Sequence, residues 1–374
     1  MEIQTVRTRP QRRAFVELPW NLYAKTAAWV PPVILDQLTV LDPKKGPFFE
    51  HGEAELFIAY RDGKPVGRIS AHINFRFDEL HGSEKGFFGF FECENNHEVA
   101  KALFDKAADY LRSRGRNLIE GPYSFGIYDE IGIQQDAFES TPYILTSSQP
   151  HYYPGLVEDN GFIKCIDWYA YRAITERAAG NISEKYSRVL KRLKDFDDLR
   201  MRPMSRGLSF PKDAEIVKEI FARAWEQNWS HVPMSDREFA RIAPFIRLIV
   251  CTELSLIAEK DGKPVGCSLV IYDVNSILKK LNGRLLPLGW LKLLMGAQKV
   301  NRARLILMGM LEEYRNRGYD LGFYLHIAGE AAKVGMKEFE LSVVVETNRQ
   351  LLSSLQKLPG VERYKTYRIY QKSI

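Results

Sequence analysis

The run Phe57-Ile-Ala-Tyr-Arg-Asp-Gly-Lys-Pro-Val-Gly67 returns 199 residues later as Leu256-Ile-Ala-Glu-Lys-Asp-Gly-Lys-Pro-Val-Gly266. Each copy predicts a strand, an Asp-Gly turn and a second strand, the latter at Arg68–Asn74 and Cys267–Asp273. A single Asp-Gly between apolar runs is commonplace. Two copies of Asp-Gly-Lys-Pro-Val-Gly half a chain apart predict duplication of a whole domain. The 374 residues exceed one ordinary core and suit two domains of about 100–200 residues each. The division expected is 1–175 and 176–374.

The elements after each hairpin also match. After the first come a strand at Gly86–Cys93, a helix with apolar spacing at Val99, Leu103, Ala107 and Leu111, and a strand at Asn117–Glu120. After the second come a strand at Arg304–Leu311, a helix over about Gly318–Val334 and a strand at Glu338–Val345. Each unit then offers a short helix and a closing strand: Tyr152–Asn160 and Ile163–Arg172, then Arg349–Lys357 and Tyr364–Gln371. Antiparallel strands leading into β-α-β-α-β predict an α+β class, with a mixed, mostly antiparallel sheet flanked by helices in each domain. Ser183–Arg200 reads as a Lys- and Arg-rich helix opening the second domain. Pro122–Pro150 is an insertion too long for a plain connection and a candidate binding loop.

The net charge of +6 hides an asymmetry: 19 Lys+Arg against 24 Asp+Glu over residues 1–175, but 34 against 23 over 176–374. A basic second half suits a partner bearing phosphates. The N-terminal residues lack a signal peptide's apolar core, and no run approaches the roughly 18 apolar residues of a membrane span, so a cytoplasmic protein is expected. Cys93, Cys165, Cys251 and Cys267 are scattered among apolar residues and read as small buried hydrophobes; no metal spacing occurs among the cysteines or the seven histidines.

The stretch Leu305–Gly322 is the centre of the chemistry. A helix entered from a tight loop presents free backbone N–H groups and a positive dipole end, a cradle for phosphate to which Arg315 and Arg317 add charge. Gly318 permits close backbone approach. This stretch resembles the R-x-x-G-x-G/A pyrophosphate loop of GNAT acyltransferases, with Arg315 and Gly318 in register and Asp320 at the last position. Glu346-Thr-Asn348 before a short helix, and Tyr152-Tyr153-Pro-Gly with Gly161-Phe162, resemble two further parts of that family. The resemblance implies acyl-CoA as a co-substrate held by Met308, Met310, Arg315, Asn316, Arg317, Gly318, Tyr319 and Asn348, with no tightly bound cofactor.

A closer resemblance, covering nearly the whole chain, is to tandem-GNAT proteins that include the bacterial ceramide synthases. It rests on Glu120-Gly-Pro, Asp129-Glu130-x-Gly132, Pro142-Tyr143-Ile144, Tyr152-Tyr153-Pro154, Asp273-Val-Asn275, Gly283-Arg284-Leu285, Tyr367-Arg368-Ile369-Tyr370 and, most distinctively, Ala224-Trp225-Glu226-x-Asn228-Trp229-x-x-Val232-Pro233. It implies two GNAT domains and N-acylation of a sphingoid base, with acyl-CoA or an acyl carrier protein as donor and a lipid-type amine as acceptor. The first domain, with no R-x-x-G loop after Cys93, would shape the acceptor pocket through 122–150.

An amine must be neutral to attack a thioester, so a carboxylate or water chain takes its proton. Glu313, Glu346 and the pair Asp129/Glu130 are the candidates; Glu312 and Glu313 also suit a helix-entry charge pair. Backbone N–H groups near Met308–Met310 would hold the oxyanion. Tyr152 or Tyr153 could protonate the leaving thiolate, one of them being plain packing. Trp225 and Trp229, at helical spacing, read as core anchors, and His231 is a minor candidate.

Leu285–Lys299 is unusually apolar for a connection. A buried helix is the default; a lipid-chain wall, or a patch touching the inner face of a membrane through Trp290 with Lys292 and Lys299, is the sharper reading. Transfer to a small amine, an amino acid or an aminoacyl-tRNA, and a non-catalytic acyl-CoA- or lipid-binding protein, stay open as alternatives. Nucleic acid is not expected, for want of any aromatic-basic stacking motif.

Overall fold

The computed structural model describes residues 1–82, 84–180, 199–315 and 317–374. They form two compact units. The first comprises Met1–Trp168, Leu278–Gly289 and Lys365–Ile374, the second Tyr169–Ile277 and Trp290–Tyr364. Two segments beyond residue 175 thus sit with the first unit rather than the second. For the C-terminal one the reason is strand pairing: the last strand of the chain pairs within the first unit's sheet. The helix expected at Ser183–Arg200 lies almost wholly outside the described residues.

In the first unit the order of elements is β1 (Glu2–Thr5), α1 (Arg9–Leu22), α2 (Ile34–Val40), β2 (Gly52–Arg61), β3 (Lys64–Asn74), α3 (Phe75–His81), β4 (Lys85–Cys93), α4 (His97–Ser113), β5 (Leu118–Gly121), β6 (Ile133–Gln134) and α5 (Tyr153–Glu158). β7 (Ile163–Ile174) leaves this unit after Trp168. The second unit continues with α6 (Thr175–Gly180), β8 (Leu199–Pro203), α7 (Phe210–Ala224), α8 (Asp236–Ile249), β9 (Leu256–Lys260) and β10 (Lys263–Tyr272). Then come α9 (Asn275–Leu281), α10 (Gly289–Gly296), β11 (Arg302–Met310), α11 (Tyr319–Glu330), β12 (Glu338–Val345), α12 (Arg349–Gln356) and β13 (Val361–Ser373).

The repeated hairpins are β2–β3 and β9–β10. In both turns the Asp and the Gly have left-handed backbones, φ 50° and 74° at Asp62-Gly63 and 50° and 71° at Asp261-Gly262. That is the primed turn whose twist matches the strands, and Gly supplies it without steric cost. Both hairpins carry an irregular register just past the turn, at Ala59/Tyr60 and at Pro264/Gly266, where the repeated Pro falls.

Strand order in the first unit is β1-β2-β3-β4-β5-β13-β7, β7 contributing its Ile163–Trp168 part, with β6 also on β13. The pair β4–β5 is parallel and the other registered pairs antiparallel. In the second unit β8-β9-β10-β11-β12 run in sequence, and of the four pairs between them β11–β12 is parallel and the others antiparallel. The α+β class with mixed, mostly antiparallel sheets is thus realised in each unit.

Helix α4 shows why the apolar spacing matters. Asn96 caps it by accepting from Val99 N–H at 3.1 Å, and Val99, Leu103, Ala107 and Leu111 are all fully buried against the sheet. Each large member of that stripe contributes about 1.5–3 kcal/mol of burial. On the opposite face, α1 starts with a capping box, Thr8 with Gln11, and buries Phe15, Val16 and Leu18, the first two packing with Phe48 and Phe125. The second unit packs α11 through Tyr319 and Phe323 against Leu256, Ala258, Val265 and Met310. The four cysteines are free thiols; three are buried and Cys165 half-buried.

Candidate active site

The second unit offers a strand edge that opens into a loop. The parallel ladder between β11 and β12 ends at Leu305–Leu341, while β11 runs on to Met310 against β10. A bulge at Ile306, which falls between the partners of Leu269 and Val270, turns β11 at the point of departure. Leu311 N–H donates to Val265 at 2.9 Å, on the β10 side. By the two-residue alternation of a strand, Met310 presents its backbone to the other edge. There its carbonyl accepts from Arg315 Nε at 3.0 Å, and a second Arg315 nitrogen donates to Ala224 O. Arg315 therefore braces the loop between β11 and the end of α7.

After the short turn Glu312–Tyr314, the chain reaches α11 through Gly318, whose φ of +80° is left-handed. Among the described residues, no heavy atom beyond its own and those of its chain neighbours lies within 4 Å of where a Cβ would stand there. The first-turn amides of α11 thus follow a bare backbone with space before it, the geometry that receives a phosphate. Arg317 is exposed beside it, with its guanidinium 5.8 Å from the Tyr314 ring. Asp320 is exposed in the first turn, and Tyr319 is buried in the core. Asn316 lies outside the described residues.

The remaining expected residues of this unit have defined settings. Met308 packs half-buried on the core below α11. Asn348 caps α12, its side chain accepting from Leu351 N–H at 3.1 Å. Glu346, just past β12, accepts from the Tyr169 hydroxyl at 3.3 Å. Glu313 is exposed and pairs with Arg223 at 3.1 Å, and Glu312 accepts from Gln227 at 3.4 Å; both belong to surface contacts at the helix entry. Trp225 and Trp229 do not share a helix face, because α7 ends at Ala224. Trp225 instead covers the strand: its ring atoms lie 2.5 Å from where a Cβ on Gly309 would be, so only glycine fits beneath it. His231 is buried, 5.9 Å from the Phe221 ring centroid.

The first unit holds a cluster that no motif in the sequence singles out. Arg68 and Glu92 face each other across β3–β4, a register set by the irregularity between Arg68 and Ser70. Their charged groups approach to 3.7 Å in a buried setting. Tyr23, which ends α1, donates to Glu92 at 2.7 Å, and Tyr153 donates to the same carboxylate oxygen at 2.6 Å. Arg68 also donates to Phe15 O at 2.6 Å. Burial pushes the Glu92 carboxyl up, against the pull of Arg68 and the two hydroxyls.

Two expected catalytic residues join this cluster and a third flanks it. Glu130 is solvent-accessible, yet it is crowded by surrounding protein that raises its carboxyl, and Glu92 raises it further. Tyr153 accepts from Cys93 N–H at 2.9 Å, and Tyr152 donates to Cys93 O at 2.9 Å. Burial raises both phenols, which makes them poorer proton donors. Asp129 is exposed on the same loop. Sequence reasoning missed Glu92, Arg68 and Tyr23. Glu92 ends an apolar run and reads as a strand-end charge; only the register shows it opposite Arg68.

No family model matches the chain. Among curated proteins it is 33% identical over 386 aligned positions to a bacterial ceramide synthase from Caulobacter vibrioides, covering 100% of this chain and 98% of that one. It is 30% identical to protein YghO of Escherichia coli, covering 100% and 95%. The chain belongs to the tandem-GNAT acyl-CoA N-acyltransferase family that includes the bacterial ceramide synthases. Solved structures agree on the fold. A tandem GNAT protein from the clavulanic acid biosynthesis pathway superposes with a TM-score of 0.57 at 12% identity, covering 100% of this chain and 98% of that one. A GCN5-related N-acetyltransferase from Sphaerobacter thermophilus gives 0.50 at 14% identity, covering 99% and 95%.

Proposed function

We propose that this tandem-GNAT chain moves a fatty acyl group from acyl-CoA to the amine of a sphingoid base. The observation that carries the donor half is the edge of β11 beyond its pairing with β12, leading into Gly318 with its left-handed backbone and, among the described residues, no side chain against its Cβ position. In this reading the pyrophosphate lies on the first-turn amides of α11 with Arg317 beside it, and the pantetheine amides add along the β11 edge as an extra strand would. Arg315 holds that edge and the loop in place. The acceptor class is carried over from the ceramide synthase relative.

The reaction makes few demands. The neutral amine attacks the thioester carbonyl, forming a C–N bond, and a backbone N–H near Met308–Met310 stabilises the oxyanion. Collapse breaks the C–S bond, and the thiolate takes up a proton. The candidates for the amine's proton are Glu346, in the same unit as β11, and Glu130 of the first unit, whose carboxyl is raised by burial and by Glu92. Tyr152 and Tyr153 become positioning residues, since their hydroxyls are committed to Cys93 and Glu92. The first domain, with its 122–150 insertion, serves the acceptor in this account.

Incubating the full chain with palmitoyl-CoA and either sphinganine or a set of amino acids, and reading amide products by mass spectrometry, tests the proposal. An N-acyl sphinganine formed with release of free CoA is expected. Products from amino acids alone would move the acceptor to small amines. Acyl-CoA binding with no amide from any amine would leave a binding protein.

A further inference from the structure

The segment Leu286–Met295 leaves its apolar side chains facing water. Leu286, Leu288, Trp290, Leu294 and Met295 are 64%, 61%, 44%, 42% and 60% exposed. Among the described residues eleven large hydrophobics are this exposed, and these five fall within ten consecutive positions. The buried-helix expectation for 285–299 therefore fails: α10 inserts only Leu293, fully buried, followed by Ala297, and turns Trp290, Leu294 and Met295 outward. A surface helix that is apolar on both faces has a second apolar medium to meet.

Charge indicates which medium. From residue 274 to residue 311 the sequence has no Asp or Glu. Lys279, Lys280, Arg284, Lys292 and Lys299 flank the apolar side chains and are all exposed. Large aliphatics, one Trp and a one-sided set of lysines are the composition that seats an interfacial helix among lipid headgroups. Among the described residues no helix is long and apolar enough to cross a membrane. We infer that Leu286–Met295 docks this protein on an anionic lipid bilayer, its apolar side chains entering the headgroup boundary and its lysines reading the surface charge. This does not depend on the reaction proposed above, and its test reads no activity.

The test is flotation of the full chain with vesicles of phosphatidylcholine alone and of phosphatidylcholine with about 30 mol% phosphatidylglycerol. Binding is expected to the anionic vesicles, weakening as salt rises and the Debye length falls from about 10 Å toward 3 Å. Lys292→Gln with Lys299→Gln should weaken it roughly 30-fold, at about 1 kcal/mol per lysine. Leu286→Ser with Trp290→Ser and Leu294→Ser should abolish it at every salt concentration. An unchanged melting temperature shows that the variants fold, and the lysine pair, being exposed, serves if the triple variant does not. Equal binding to neutral vesicles, no binding to either, or wild-type binding by the lysine pair overturns the inference. So does concentration-dependent dimerisation that the triple variant removes, which would make a second copy the occupant.

Discussion

Cys93 and Met310 occupy the same place in the two units and have opposite fates. Cys93 lies opposite Gly67 and Met310 opposite Gly266, the last residues of the repeated hairpin. The next residue donates to the equivalent carbonyl in each, Glu94 to Val66 at 3.0 Å and Leu311 to Val265 at 2.9 Å. In the first unit, Tyr153 takes the N–H of Cys93 and Tyr152 its carbonyl. In the second, Met310 gives its carbonyl to Arg315, which braces a glycine-entered helix. One position inward the contrast repeats: Glu92 sits under Tyr23 at the end of α1, and Gly309 under Trp225 at the end of α7. A duplicated scaffold thus carries a strand edge met by two tyrosine hydroxyls in one copy and by an arginine that braces a loop in the other.

The difference between the two edges can be broken at several points. Glu92→Gln should be the most damaging to folding, about 3–5 kcal/mol, because it strands the buried Arg68; chemical denaturation measures it. Acyl-CoA affinity of the folded fraction should stay within a few-fold of wild type. Gly318→Asp should do the reverse, lowering palmitoyl-CoA affinity by about 100-fold, roughly 2.7 kcal/mol, by setting a side chain and a negative charge on the open left-handed position. Asn96→Asp, at the helix cap that follows β4, should leave that affinity alone. Tyr153→Phe should cost about 1–3 kcal/mol of stability, since Cys93 N–H loses its acceptor and Glu92 a donor. Asn348→Ala should cost about 1 kcal/mol as a lost cap; a loss of acyl-CoA affinity above ten-fold would instead give Asn348 a direct role.

The raised carboxyl of Glu130 adds a pH signature. Its folded pKa exceeds the unfolded one, so the native state holds the proton more tightly. The stability this group gives is complete below the ordinary glutamate range and is lost as pH rises through the raised value. Relative to wild type, Glu130→Gln should gain stability across that interval; with Glu130 as the base, acyl transfer falls by about 10²–10⁴ and the acid limb of its pH profile disappears. An unchanged limb would assign the base to Glu346.

Much of this frame was legible in the chain. The Asp-Gly hairpins, the buried face of α4 and the β11–loop–α11 order follow from turn chemistry and period, and each lies within a few residues of its expected place. Two things were not. The return of Lys365–Ile374 to the first unit is a long-range pairing with β5, which no local pattern encodes. The Arg68–Glu92 cluster depends on an irregular register and on α1 ending at Tyr23, so its members are far apart in sequence and unremarkable singly. Trp225 and Trp229 misled in the other direction: their spacing suits a helix, but α7 stops one residue before the first of them.

Titration calorimetry of the full chain with palmitoyl-CoA bears most directly on the claim that one unit binds the donor and the other does not. One site per chain is predicted, lost in Gly318→Asp and retained with near wild-type affinity in Tyr152→Phe with Tyr153→Phe. Two sites per chain, or a single site that survives Gly318→Asp and vanishes with the tyrosines, would contradict it.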